Sequence, residues 1–198
     1  PNKKMNILTE RAPKTVNIGG AEIPINSDFR VSIRFEQLID EPIPDEEKIL
    51  QALALYYPFP VTDISEAINK MLWFYAAGKD GKRPGTSREG VQNIYSYSYD
   101  DEYIYAAFLD QYGIDLQDIP YLHWWKFKAM FVGLKSDSRI VEIMGYRGIE
   151  ITSQMSSEQK QFYRKMKKQF AVFGLGSFGE SVAVTLQQLG CEVVAVDN

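Results

Sequence analysis

Between Asp63 and Gly78 the apolar residues Ile64, Ala67, Ile68, Met71, Leu72 and Tyr75 recur at i, i+3, i+4, i+7, i+8 and i+11. That period places them on one face of an α-helix, and such a face must be covered by another apolar surface. The same punctuation recurs along most of the chain. Ser27 or Asp28 can cap a helix to about Ile39 carrying Phe29, Val31, Ile33, Phe35 and Leu38. Asp45 can cap a second with Ile49, Leu50, Leu53 and Tyr56, stopped by Pro58. Asp100 precedes a helical pattern ending at Gly113, Asp118 one carrying Leu122, Trp125, Ala129 and Met130, and Ser136 or Asp137 a short one with Ile140, Val141 and Met144. Ser156 or Ser157 opens a last helix to Lys168 whose basic end suits the helix dipole. Against these stand Thr15–Ile18 and Ala21–Ile25, two short strands around Gly19-Gly20, which read as a hairpin with Pro24 at an edge. The expectation is a mainly α fold with a short N-terminal β-hairpin.

Composition narrows the chemistry. The 198 residues include one Cys and one His, so neither an intramolecular disulfide nor a Cys-cluster metal site is available, and a metal site is not expected. A net charge of −4 disfavours a general nucleic-acid binder. No apolar run is long enough to span a bilayer, so no membrane insertion is expected, and the single cysteine fits a cytoplasmic setting. No Ser-His-acid arrangement can be argued from a single His123, so the chain is not expected to be an enzyme.

Residues 169–198 carry three acids and no Lys or Arg, which marks a break near residue 168. There Phe170-Ala171-Val172-Phe173 reads as a buried strand, Gly174-Leu175-Gly176-Ser177-Phe178-Gly179 as a G-x-G-x-x-G turn, Ser181–Leu189 as a helix, and Cys191–Val196 as a second strand ending at Asp197. In that pattern glycines allow a tight turn and close approach of backbone to a pyrophosphate, and an acid about 20 residues on bonds the ribose. The fold class therefore gains a C-terminal β-α-β fragment of a Rossmann fold. The run Met166–Gly179 resembles the opening of the Ktr/Trk-type potassium-uptake regulators. The resemblance implies phosphate contacts from Gly174, Gly176, Ser177 and Gly179, a ribose contact from Asp197, and NAD or ATP as cofactor. With only β-α-β in this chain, weak nucleotide affinity and no independent stability are expected for 169–198.

The runs Asp100–Phe108, Tyr112–Leu116 and Leu122-His123-Trp124-Trp125-Lys126-Phe127-Lys128-Ala129-Met130-Phe131 are similar to the bacteriophage gene-product-fifteen family. Met5–Glu10, Ile25–Arg30, Met71–Tyr75 and Ile143–Arg147 agree with it. Members usually sit between tail-tube and tape-measure genes in phages and prophages of Gram-positive hosts. The resemblance implies a tail-assembly chaperone in the host cytoplasm, with tape-measure or tail-tube partners and a possible homo-oligomer. The alternative is a nucleotide-sensing regulator of potassium uptake. The expected organisation is an extension at 1–4, a helical assembly module at 5–168 and the partial dinucleotide fold at 169–198, meeting at Met166-Lys167-Lys168 in what reads as a fusion seam.

For a binding protein the candidate contact residues are aromatic. Trp124 and Trp125 point about 100° apart on a helix. They can both be core, or one can lie inward while the other, with Tyr121, His123 or Lys128, anchors a partner. Tyr95, Tyr97 and Tyr99 alternate with serine, which reads as an extended edge strand or a contact strip. His123 beside two indoles reads as a packed residue.

Overall fold

The computed structural model describes residues 5–79 and 94–170. Of the expected Rossmann fragment, Gln169 is the last residue of a helix and Phe170 its C-cap, not the start of a strand; the rest, with its fingerprint Gly174, Gly176, Ser177 and Gly179 and with Asp197, lies outside the described residues. Within them the chain is mainly helical with one two-stranded hairpin. It divides into two units. The first comprises described residues 5–79 and 121–128, the second 94–120 and 129–170.

In the first unit β1 (Thr15–Ile18) and β2 (Ala21–Pro24) pair antiparallel with Thr15 opposite Pro24. The turn works because Gly19 and Gly20 take φ of 59° and 82°, as a type I′ turn requires at both central positions. Val16 and Ile18 point inward and β1 lies against the helix Ile64–Tyr75. α1 (Phe29–Ile39) starts at Asp28, whose side chain accepts from the Arg30 amide. α2 (Asp45–Tyr56) starts after Pro44 and carries Asp45, Glu46 and Glu47 in its first turn, where the dipole favours anions. α3 (Ile64–Tyr75) is capped by Asp63 through the Glu66 amide. Phe35, Tyr56, Ala67, Phe74 and Trp124 are essentially inaccessible, so the core lies where α1, α2 and α3 meet the stretch 121–128. The buried Tyr56 hydroxyl shares a 2.8 Å hydrogen bond with Ser32, and Tyr57 donates to the Ala67 carbonyl at 2.7 Å. Each hydroxyl enters the core with a partner, as buried polar groups must.

In the second unit α4 (Asp101–Tyr112) ends at Gly113, left-handed at φ 62°. α6 (Arg139–Gly148) follows Ser138, and α7 (Ser157–Gln169) opens with a capping box between Ser156 and Gln159. Ile104, Phe108, Ile140 and Ile143 form its apolar centre.

Two expectations need correction. Residues 115–119 form a turn held by the Asp115 side chain and a bond from the Ile119 amide to the Asp115 carbonyl. The helix expected from Asp118 therefore starts six residues later, as α5 (Trp124–Val132). The Tyr-Ser alternation is not a strand either: 97–99 make a turn, closed by the Asp100 amide on the Ser96 carbonyl at 2.9 Å.

Candidate functional site

The His-Trp-Trp-Lys run is fixed first through its backbone. The Trp124 amide donates to the Ser27 carbonyl at 2.8 Å, the Phe29 amide to the Leu122 carbonyl at 2.9 Å, and the Leu122 amide to Asp28 Oδ2 at 3.2 Å. Asp28 thus caps α1 and ties down the entry to α5 with the same carboxylate. His123 has both ring nitrogens engaged. Nδ1 accepts from the Trp125 amide at 3.0 Å, so Nε2 carries the proton and donates to the Pro13 carbonyl at 2.9 Å. Burial holds its pKa below the ordinary histidine value, keeping the ring neutral. The ring thus caps α5 through its Nδ1.

The two indoles do not divide between core and surface. Trp124 and Trp125 are 1% and 4% exposed. Helical geometry separates them, but the end of α3 lies against both. Trp124 Nε1 donates to the Tyr75 carbonyl at 2.8 Å and Trp125 Nε1 to the Phe74 carbonyl at 2.7 Å. The last carbonyls of a helix lack the usual amide four residues on; here Phe74 accepts from the Ala77 amide as well as from Trp125, and Tyr75 takes the Trp124 indole. Lys128 Nζ adds a third contact, 3.2 Å from the Tyr75 carbonyl, while lying over the Tyr75 and Trp124 rings at 5.2 and 5.4 Å. A cation at a helix C-terminus is favourable. The chain leaves α3 through Ala77 and Gly78, with φ of 58° and 67°. At Gly78 a Cβ would stand 2.8 Å from Trp125 Cη2, so glycine is required by conformation and by the indole.

Glu36 of α1 lies half-buried beside this cap. Tyr75 donates a hydrogen bond to it and Lys128 attracts it, while Asp40 repels it. Its Oε2 has no hydrogen-bond partner among the described residues, and neither does the buried Nε1 of Trp73. Burial outweighs the two favourable contacts and pushes the Glu36 carboxyl up to about 7. Burial also lowers the Lys128 ammonium.

The remaining candidates are split. Tyr121 is exposed, shares a 2.8 Å hydrogen bond with Ser27, and has Lys14 Nζ 4.7 Å above its ring. In the second unit Tyr97 is buried, Tyr95 stacks edge-on against Phe131 with centroids 5.1 Å apart, and Tyr99 is exposed. The three tyrosines do not form one strip.

Sequence reading missed the strongest polar contact of the second unit. Arg147 reaches Asp100 with a fork of 2.5 and 2.9 Å, both side chains being almost fully enclosed. The same guanidinium donates to the Ile94 carbonyl at 3.1 Å and to the Phe170 carbonyl. Asp100 Oδ2 also accepts from the Ser96 amide at 2.8 Å, and its side chain makes no cap bond to α4. Asp100 was expected as a helix cap because Asp before a helical pattern signals one. Its use as a counter-ion has no local signal, since Arg147 is 47 residues away.

Among the described residues no group of three or more His, Cys, Asp or Glu converges as a metal site, and no helix is long and apolar enough to cross a membrane. The model of the family described as Bacteriophage Gp15 protein matches residues 8–172. The chain belongs to the Bacteriophage Gp15 protein family. Its match takes in both units and stops before Gly174. No curated protein and no solved structure matches.

Proposed function

We propose that this Gp15-family protein is a phage structural-assembly protein, a tail-assembly chaperone that works in the host cytoplasm by binding other tail chains and turns over no substrate. Membership of a phage family over residues 8–172 carries the reading. The chemistry of the described residues supports it: His123 has both nitrogens bonded, and the one buried Asp is held in an ion pair. What faces solvent is suited to contact. Tyr121 with Lys14 lies in the first unit, and Tyr99 and Phe162 lie in the second. Exposed aromatic rings with adjacent cations favour protein partners. The mechanism is shielding. A tape-measure helix waiting for its tube exposes apolar stripes, and an aromatic surface covers them until tube subunits replace it.

Co-expression with the tape-measure and tail-tube proteins of the same phage is the test. A stoichiometric complex with either, weakened by Tyr121→Ala, is expected. Failure to co-purify with both, together with a nucleotide-dependent rise in melting temperature, would favour the regulatory alternative.

A further inference from the structure

α7 is unusual in burying none of its residues. It packs along α6, and its outer face keeps Glu158, Phe162 and Lys165 in solvent at i, i+4 and i+7. Phe162 touches the Tyr146 and Tyr163 rings yet remains 47% exposed. Glu158 and Lys165 have no ion-pair partner among the described residues. A half-exposed aromatic between two opposite charges is a surface with a direction.

The first unit holds its complement. Between α1 and α2 runs an open groove of about 330 Å³, walled by Arg34, Leu38 and Glu41 on one side and Gln51, Ala54 and Leu55 on the other. Arg34 and Leu38 stand one turn apart on α1 and Glu41 lies just past its C-cap, so the base comes first and the acid last. Arg34 and Glu41 are exposed and have no ion-pair partner among the described residues. On α7 the first and third positions are about 10 Å apart along the helix, and Arg34 on α1 and Glu41 just past its C-cap Asp40 line the same groove. Laid parallel, Glu158 meets Arg34, Phe162 meets the apolar floor at Leu38, and Lys165 meets Glu41. The basic residues Arg164 and Lys168 then approach the acidic opening turn of α2, Asp45, Glu46 and Glu47. A groove of this volume admits one phenylalanine ring, and such i, i+4, i+7 anchoring is how helices seat in grooves.

We propose that α7 of one molecule seats in the α1–α2 groove of a second copy of this chain. The contact is heterologous: each molecule offers a helix and a groove, so repetition gives a ring or a filament. The inference stands on charge pattern and spacing, and holds whether or not the tail-assembly reading does.

A charge swap on the full 198-residue chain tests it. One variant carries Glu158→Lys with Lys165→Glu, the other Arg34→Glu with Glu41→Lys. Each keeps its net charge and changes only exposed side chains, and matching thermal melts verify folding. Light scattering across a dilution series reads mass. The native chain is expected to assemble with concentration, and high salt to weaken the assembly. Each variant alone is expected to associate about tenfold more weakly or worse, Phe162→Ala likewise, and an equimolar mixture of the two charge variants to recover assembly. A native chain that stays monomeric overturns the proposal. So does assembly indifferent to both reversals, or loss that mixing does not restore.

Discussion

In the first unit the carbonyls of Phe74 and Tyr75 take neutral indole donors, whereas in the second unit the Asp100 carboxylate takes a guanidinium. Both devices satisfy polar groups away from water, and both join segments far apart in sequence. They differ in what their removal leaves behind. Truncating an indole opens a cavity, while the carbonyl it served keeps a second donor, the Ala77 amide for Phe74 and Lys128 for Tyr75. Truncating Arg147 leaves a buried negative charge, which has no cheap substitute. The neutral device depends on shape, the ionic one on its partner. Variants that separate shape from charge therefore distinguish the two units.

The largest effects are expected at the indoles. Trp124→Ala and Trp125→Ala should each cost about 3–5 kcal/mol, since each removes a buried ring together with a cap of α3. Chemical denaturation measures this. A loss confined to one of the two would restore the idea that the other faces outward. Next comes Arg147→Ala, at about 3–5 kcal/mol, with Arg147→Met combined with Asp100→Leu recovering part of it, because no charge then stays unpaired although the Ser96 amide and the Ile94 carbonyl lose their partners. If the double variant is no better than the single, the pair matters for shape and the contrast between the units fails.

Much of this fold was legible beforehand, for local reasons. The Gly-Gly hairpin, α1 after Asp28, α3 after Asp63 and the Gly113 stop all follow from residues within one turn of the feature they set. Where contacts reach across the chain, local patterns misled. The start of α5 is set by Ser27 and Asp28, which pair with Leu122 and Trp124 about 95 residues on, and periodicity carries no trace of that. The 97–99 turn likewise reflects Asp100, held by Arg147 and the Ser96 amide instead of capping in the expected way. For the two indoles the sequence left two readings open, both in the core or one of them outward, because the choice depends on the end of α3, which no local pattern places against them. Glu36 was invisible because a lone glutamate on an amphipathic helix ordinarily faces solvent.

Glu36 gives the third effect, on the order of 2 kcal/mol, and the one that depends on pH. Its folded pKa, about 7, lies above the ordinary 4.5. The folded chain therefore holds this proton where the unfolded chain has lost it, and the contribution is fully present below pH 4.5 and lost as pH rises through about 7. Glu36→Gln should flatten that part of the stability profile and make the protein more stable at pH 8 than the native chain. An unchanged slope between pH 5 and pH 8 would show the carboxylate to be solvated. The smallest effect is expected at Ala77, whose φ of 58° suits glycine. Ala77→Gly should stabilise by about 0.5 kcal/mol, relief of left-handed strain exceeding the added chain entropy. Gly78→Ala should do the opposite, pressing a methyl into the Trp125 ring.

The inward use of the Trp-Trp pair is the claim on which the contrast and the choice of binding surfaces both rest. Hydrogen exchange of the indole Nε1 protons, assigned with single Trp→Phe variants, tests it most directly. The account predicts that the Trp124 and Trp125 signals exchange only through global unfolding, with protection that tracks the denaturation free energy. Rapid exchange of either signal in the folded protein would contradict it and return that indole to the surface as a partner anchor.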